Sequence, residues 1–177
     1  MPVDPETFKK TLGAWARGVT IVTSQLGSER MGMTVSAFSS VSLSPPLVLV
    51  CADKGSNTHA LIRKSHAFTV NVLSSEQSAL SNLFADKKRE AIRFEGLDCE
   101  LGATGCPRLP GALSALDCRV RDEIDAGDHI VYVGLVEAAS LDAARRTAIV
   151  DASARVAPAV VSVRVTLPTP RPSQWDL

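Results

Sequence analysis

Three short segments of the chain carry residue types that can bind or position a charged ligand. In the first, Cys51–Thr58, an apolar run gives way to acidic, basic and hydroxyl side chains where a short helix is predicted to begin. The free N–H groups of a helix N-terminus, the hydroxyls of Ser56 and Thr58 and the charge of Lys54 together favour a phosphate. Plain capping of the helix by Ser56 or Asn57 explains the same residues.

The other two segments are a stretch of small hydroxyl residues and a glycine turn with a histidine. Thr34–Ala37 belongs to a β-type stretch, Met31–Leu43, that is both small and rich in hydroxyl groups. A solvent-facing edge strand would have the same composition. The turn Gly127–His129 offers an imidazole beside a glycine that lets the loop move. An ordinary turn histidine is the alternative for His129.

The sequence lacks the motifs of a protein nucleophile, a metal site or a dinucleotide-binding Rossmann unit. It contains no G-x-G-x-x-G after a strand, no G-x-x-x-x-G-K-[ST], no G-x-S-x-G and no H-E-x-x-H. The four cysteines lack C-x-x-C spacing and have no histidine close enough to predict a zinc site; they are Cys51, Cys99, Cys106 and Cys118. A cofactor that carries the chemistry itself would explain a chain so poor in catalytic side chains.

The composition is that of an ordinary globular protein. The 177 residues are 45% hydrophobic and 21% charged with a formal net charge of zero, which fits one domain with a hydrophobic core. This balance gives no electrostatic reason to expect nucleic acid or a membrane surface as a partner. The N-terminus has no signal-peptide pattern, and the apolar runs are shorter than the ~20 residues that span a bilayer. We therefore expect a cytoplasmic protein with reduced cysteines.

Periodicity and turn residues predict strands joined mainly by turns, with a few peripheral helices. Helices are predicted over 5–17, 57–65 and 76–85, with Ser74 or Ser75 as the N-cap of the third. Strands are predicted over 19–24, 31–43, 47–51, 67–73, 115–124, 128–139 and 159–167. This order favours an antiparallel barrel over a doubly wound parallel sheet. We expect one domain over residues 1–167 and a proline-rich extended tail over 168–177.

Several motifs in compatible order resemble the short-chain flavin reductases of the FMN-binding split-barrel family, which are reductase components of two-component flavin-dependent monooxygenases. The matching segments are Gly32–Cys51, Phe68–Leu73, Phe94–Gly96, Gly111–Leu113 with Cys118, and Gly127–Gly134. The resemblance implies a mainly β, antiparallel, Greek-key-like split β-barrel with peripheral helices. It also implies an NAD(P)H:flavin oxidoreductase that uses FMN or FAD with NADH or NADPH. The expected assembly is a homodimer that supplies reduced flavin to a partner monooxygenase.

The resemblance further implies where the flavin and the nicotinamide bind. Backbone N–H groups and hydroxyls along Thr34–Ala37 would pair with the polar edge of the flavin ring, where the reduced ring carries negative charge. His129 would be the catalytic side chain, at the mouth where the nicotinamide approaches the flavin. The implied cofactor-binding residues are Thr34, Val35, Ser36, Ala37, Ser39, Ser40, Cys51, Ala52, Asp53, Ser56, Asn57, Thr58, Arg89, Phe94, Gly127 and Asp128, with no metal ligand.

Other functions remain open on the same fold. An oxidase of the pyridoxamine-phosphate type would need a cationic subsite, which Arg145–Arg146 or Arg89 with Arg93 would supply. A flavin-binding protein without catalytic activity is a further alternative. In the flavin reductase interpretation, Arg89 and Arg93, beside Phe94, would add positive charge for the phosphate or the pyrophosphate. An ordinary solvated charge cluster over Lys87–Glu90 is the alternative.

Overall fold

The structure is a computed structural model that describes residues 2–142 and 149–150. Its helices are α1 (Pro5–Gly13), α2 (Asn57–Ser65) and α3 (Ser78–Ala85), followed by a 3₁₀ helix at Lys87–Ile92. The strands are β1 (Arg17–Gly18), β2 (Thr20–Leu26), β3 (Glu29–Val35), β4 (Phe38–Leu43), β5 (Pro46–Asp53), β6 (Ala67–Val72), β7 (Glu100–Leu101), β8 (Pro107–Arg108), β9 (Ser114–Ala126), β10 (His129–Leu141) and β11 (Ile149–Val150). None of the helices in the described ranges is long and apolar enough to cross a bilayer.

Seven of these strands form one antiparallel sheet in the order β3-β2-β6-β9-β10-β5-β4. Laid flat, the two edge strands would be about 29 Å apart, since neighbouring strands are spaced by about 4.8 Å. Those same edge strands, β3 and β4, are consecutive in the chain and are linked by Ser36 and Ala37. Such a link spans at most about 11 Å. The sheet must therefore curl until the linked ends of its two edge strands come close together, and the predicted antiparallel split barrel is confirmed.

The barrel unit, Arg17–Val150, is filled by alternate residues of its strands. The main core cluster contains completely buried side chains from five strands, among them Val22, Val50, Phe68, Cys118 and Tyr132. A second cluster lies under α3 and includes Phe84. The four cysteines are free thiols, with Cys106 and Cys118 buried and Cys51 and Cys99 half-buried.

The predicted helices agree with the structure in number but not at every end. Helix α2 covers the predicted 57–65, and Ser56 Oγ accepts the His59 N–H at 3.1 Å as its cap. Helix α1 ends at Gly13 instead of residue 17, because Arg17 and Gly18 are extended and pair with β11.

The third helix begins at Ser78, two residues later than predicted, and neither Ser74 nor Ser75 is its N-cap. The preceding residues form a turn in which the Gln77 side chain accepts the Ser74 N–H at 3.0 Å. The predicted strand over 31–43 is divided into β3 and β4 by the exposed Ser36–Ala37 link. The predicted strand 159–167, the boundary at 167, Arg145–Arg146 and the tail lie outside the described residues.

Candidate functional site

The three segments singled out from the sequence meet at the C-terminal end of β5. Asp53, the last residue of β5, pairs with His129, the first residue of β10. The Cys51 N–H donates to the Ala37 carbonyl at 3.0 Å, which holds the Ser36–Ala37 link against the same strand. The barrel thus brings together the hydroxyl-rich link, the residues before α2 and the β9–β10 turn.

A cleft of about 380 Å³ opens beside this strand end. Four predicted residues lie in its wall: Thr34, Asp53, Ser56 and Asn57. The other lining residues are Met33, Gly55, Phe84, Ala85, Lys87, Glu90 and Arg93. The cleft therefore lies between the barrel end, the start of α2 and the segment that runs from α3 into the 3₁₀ helix.

The charged side chains of the cleft are paired with one another. Lys87 Nζ lies 3.2 Å from Asp53 Oδ2, and Arg93 Nη1 lies 3.1 Å from Glu90 Oε1. The Gly55 N–H donates to Asp53 Oδ1 at 2.7 Å, and this bond together with Lys87 holds the pKa of Asp53 below its ordinary value. With two cations and two carboxylates in its wall, the cleft must hold an anion largely through N–H and O–H donors.

The N-terminus of α2 supplies such donors. Because Ser56 caps His59, the N–H groups of Asn57 and Thr58 are left without an intrahelical acceptor. Thr58 Oγ1 is fully buried and has no hydrogen-bond partner among the described residues. The Asn57 side chain donates to Glu90 and so joins α2 to the 3₁₀ helix. These groups fit a phosphate or a ribityl chain. Ser56 also caps the helix, as the alternative interpretation of this segment predicts.

The Ser36–Ala37 link consists of two exposed residues with small side chains and begins two positions after Thr34, a residue of the cleft wall. The side chains of the two preceding residues make contacts within the protein. Thr34 Oγ1 donates to the Ser81 carbonyl at 2.7 Å, and the Val35 side chain is buried in the core. The Thr34 hydroxyl is therefore engaged within the protein, and Ser36 and Ala37 are the residues of this segment that a planar ring can approach.

His129 lies at the tip of the β9–β10 hairpin and is held by its neighbour. Its Nδ1 is 2.7 Å from Asp128 Oδ1, and this contact lowers the pKa of Asp128. A proton on Nδ1 satisfies that carboxylate and leaves Nε2 as the atom open to a ligand. Nε2 accepts a hydrogen bond in the neutral ring and donates one in the imidazolium. The side chain is half-exposed beside Asp53.

Several predicted residues lie near the cleft without lining it. Ala52 is buried in the core and Cys51 lies on the opposite face of β5, while Ser39 and Ser40 are exposed on the edge strand β4. Phe94 packs edge-to-face on Phe84 with ring centroids 5.2 Å apart, so it supports the cleft wall from behind.

Of the two arginines predicted to supply charge for a phosphate, Arg93 lies in the cleft wall, whereas Arg89 is exposed on the 3₁₀ helix outside that wall. Arg93 is 3% exposed and donates to the Gly32 carbonyl at 2.7 Å and to the Asp86 carbonyl at 3.0 Å. No local sequence pattern separates Arg93 from Arg89, because the Gly32 carbonyl that it binds lies 61 residues away in the chain. Lys87 and Glu90 also lie in the wall, although the sequence of their cluster is equally typical of a solvated charged surface.

Comparison with known proteins decides the family. The model of the flavin reductase-like domain matches residues 12–159. The chain belongs to this family. A Rhizobium meliloti protein named "Probable flavin reductase" is 40% identical over 136 residues, which are 76% of this chain and 43% of that protein. The chain thus spans less than half the length of that relative.

Other members of the flavin reductase-like family match over more of their length. HsaB, the reductase subunit of a flavin-dependent monooxygenase of Mycobacterium tuberculosis, is 38% identical over 138 residues, covering 78% of this chain and 73% of HsaB. The solved structure of the NADH:FAD oxidoreductase SgcE6 of Streptomyces globisporus with NAD and FAD fragments matches with a TM-score of 0.79 at 35% identity, covering 89% of this chain and 98% of that one. The predicted family, the enzyme class and the use of flavin and nicotinamide cofactors are confirmed.

Proposed function

We propose that this protein transfers hydride from NADH or NADPH to FMN or FAD and releases reduced flavin to a partner monooxygenase. The observation that carries the proposal is the meeting of the Ser36–Ala37 link, the start of α2 and the His129 turn around the end of β5. When bound, the flavin supplies the hydride acceptor. The chain contributes binding and orientation of two ring systems, which explains why it needs no nucleophile of its own.

The flavin is assigned to the cleft. Ser36 and Ala37 are exposed, so their N–H groups would pair with the polar edge of the ring, and their small side chains would allow a close approach. The phosphate would bind at the N-terminus of α2, where the Asn57 and Thr58 N–H groups lack an intrahelical acceptor and Ser56 is the capping residue. Asp53 and Glu90 are already paired with cations, so they oppose the phosphate less than free carboxylates would.

His129 is assigned to the nicotinamide side. Its backbone is fixed opposite Asp53 and its ring is fixed by Asp128, so Nε2 presents a hydrogen-bonding group at the rim of the cleft. A contact to the carboxamide or to a dinucleotide phosphate there would hold the donor ring over the flavin. Hydride transfer needs the reacting atoms about 3–3.5 Å apart, so the rigidity of this hairpin tip matters directly for the rate.

Separate observations support a partner monooxygenase, a homodimer and a cytoplasmic location. HsaB, a relative over most of its length, is the reductase subunit of a flavin-dependent monooxygenase, which supports an oxygenase partner for this chain. The edge strand β4 leaves Val41 and Leu43 exposed, which supports a homodimer. Sedimentation of the wild type and of Leu43→Glu tests this, and two identical monomer profiles would contradict it. Four free thiols agree with a cytoplasmic location.

Steady-state kinetics with all four cofactor pairs tests the activity. Oxidation of NADH or NADPH should depend on added FMN or FAD, with turnovers that exceed the flavin bound to the protein. Absence of flavin-stimulated oxidation with every pair would refute the proposal.

His129→Asn tests the assignment of the nicotinamide side, with His66→Asn as its matched control. We expect His129→Asn to raise KM for the dinucleotide about tenfold, the size of one charge-assisted hydrogen bond, with flavin affinity unchanged. His66 lies at the opposite end of α2 with φ of 54°, a conformation that asparagine tolerates, so its replacement should change neither constant. Equal effects of the two variants would argue against a role for His129.

A further inference from the structure

The turn before His129 is hydrogen-bonded by Lys54, a residue of the connection between β5 and α2. Gly127 and Asp128 form the two-residue link between β9 and β10, and Gly127 has φ of +68°. The Lys54 ammonium donates to the Gly127 carbonyl at 2.7 Å, and the Lys54 backbone N–H donates to the Asp128 carbonyl at 3.1 Å. Both carbonyls of the turn are therefore held by Lys54.

The same ammonium also neutralises an acidic hairpin end. Its second acceptor is Asp125 Oδ2 at 2.7 Å, and about a third of the Lys54 side chain is exposed. The turn end of the hairpin carries four carboxylates, those of Asp122, Glu123, Asp125 and Asp128. A dinucleotide brings its own negative pyrophosphate to this place, so an unpaired Asp125 would repel it.

Lys54 is also flanked in the chain by two residues of the cleft wall. It directly follows Asp53 and directly precedes Gly55, and both of these residues line the cleft. Its backbone is thus fixed by the flavin side, while its side chain reaches across to the hairpin tip. The ammonium already has two acceptors at 2.7 Å, so its charge is directed to the turn and not to the phosphate end of α2.

We propose that Lys54 is the positioning residue of the nicotinamide side: it fixes the Gly127–Asp128 turn so that His129 stays at the rim of the cleft. The inference rests on the proposed function and adds to it a residue that touches neither ring. Loss of the ammonium leaves the turn held by the Lys54 backbone bond and the β-ladder. The hairpin tip then samples positions in which His129 no longer meets the dinucleotide.

Lys54→Met tests this role, because it keeps the length of the side chain and removes the ammonium. We expect KM for the dinucleotide to rise about fivefold, since a partly exposed charge-assisted hydrogen bond is lost, while the flavin dissociation constant stays within about twofold. Lys54→Arg retains a cation that reaches the same acceptors and should restore KM to within about twofold of the wild type. Asp125→Asn removes the acidic partner but not the bond to Gly127, so its effect should be smaller than that of Lys54→Met.

Lys88→Met is the matched control, because Lys88 is exposed on the 3₁₀ helix outside the cleft wall and its replacement removes the same charge. Equal increases in KM for Lys54→Met and Lys88→Met would overturn the proposal in favour of general electrostatics. A loss of flavin affinity as large as the rise in KM would assign Lys54 to the phosphate instead.

Amide hydrogen exchange gives a readout that does not need activity. Peptides covering residues 124–131 should exchange faster in Lys54→Met than in the wild type and should be unchanged in Lys88→Met. Unchanged exchange in Lys54→Met would overturn the positioning role even if the enzyme is a flavin reductase. An inactive wild type would refute the proposed function, while the exchange result would still report on the turn.

Discussion

Replacing Asp117 by alanine tests how the irregular segment between the 3₁₀ helix and β9 is attached to the barrel. Asp117 is completely buried on β9. Its Oδ1 accepts from Thr69 Oγ1 at 3.0 Å and from Arg108 Nε at 3.1 Å, and its Oδ2 accepts from the Ala103 N–H at 2.8 Å and from Arg108 Nη2. One carboxylate thus joins a neighbouring strand to two points of the irregular segment.

The loss of unfolding free energy in Asp117→Ala depends on Arg108, which is left without its carboxylate partner. Removing one partner of a buried ion pair costs about 3–5 kcal/mol, because the other charge loses its compensation. Arg108 retains 24% side-chain exposure and regains some hydration, which places the loss near the lower end, at about 3 kcal/mol. For a chain of this length each kcal/mol corresponds to about 2–4 °C, so the Tm should fall by roughly 6–12 °C.

The same network predicts a pH dependence. Burial raises the pKa of Asp117, but Arg108, the Ala103 N–H and Thr69 outweigh it and leave the pKa below its ordinary value of 3.8. A carboxyl group whose pKa is lower in the folded state stabilises the fold above the unfolded-state pKa, and this stabilisation disappears as pH falls through the folded-state value. The difference in stability between wild type and Asp117→Ala should therefore be full at pH 7 and should shrink below about pH 3.8.

Urea unfolding at pH 7 and at pH 3 measures both effects, and flavin reduction at 25 °C provides the control. Asp117 lies outside the cleft wall, so kcat should stay at the wild-type value while stability falls. The double variant Asp117→Leu with Arg108→Met should be more stable than Asp117→Ala, since no charge is left uncompensated. A loss of under about 1 kcal/mol in Asp117→Ala, or the same loss at both pH values, would refute the account of a buried, compensated ion pair.

Three further replacements have defined outcomes. In Gly32→Ala the new Cβ would lie 2.7 Å from Phe84 Cε1, so calorimetry should show a loss of about 1–3 kcal/mol from displaced packing; an unchanged Tm would contradict this. Gly127→Ala places a residue with a β-carbon at positive φ, so the free energy of unfolding measured in urea should fall by about 1 kcal/mol. Equal stability would show that the turn relaxes. Burial lowers the pKa of His59, which is hydrogen-bonded to Tyr132, so the wild type should lose stability as pH falls below about 6.5. His59→Gln should flatten that part of the Tm profile, and a profile parallel to the wild type would exclude His59 as its source.

The sequence predicts those parts of the fold that depend on local physical chemistry. Helix α2 is predicted with both ends correct, because Ser56 is a strong N-cap and the helical pattern stops at His66, which takes a left-handed conformation. The third helix is misplaced because the Gln77 side chain closes a turn that competes with a serine cap. The end of α1 is misjudged for a non-local reason, since Arg17 pairs with a strand that lies far along the chain.

The same difference between local and distant contacts decides which residues of the candidate site can be predicted from the sequence. The chemical character of Ser56, Asn57 and His129 can be inferred from neighbours within a few residues. The roles of Thr34 and Arg93 cannot, because the first is decided by the Ser81 carbonyl on α3 and the second by the Gly32 carbonyl on β3. A side chain that satisfies a distant backbone group leaves no periodic pattern in the sequence.

The strand order has a consequence for how the chain folds during synthesis. The hairpins β2–β3 and β4–β5 emerge from the ribosome early, yet β5 has to pair with β10, which comes last in the chain among the strands of the seven-stranded sheet. Until Leu141 has emerged, β5 lacks that neighbour and one of its sides is open to wrong partners. Pairings between such distant segments also slow folding. We therefore expect the nascent chain to depend on chaperones until β10 emerges, and the cleft at the end of β5 to be among the last features to form.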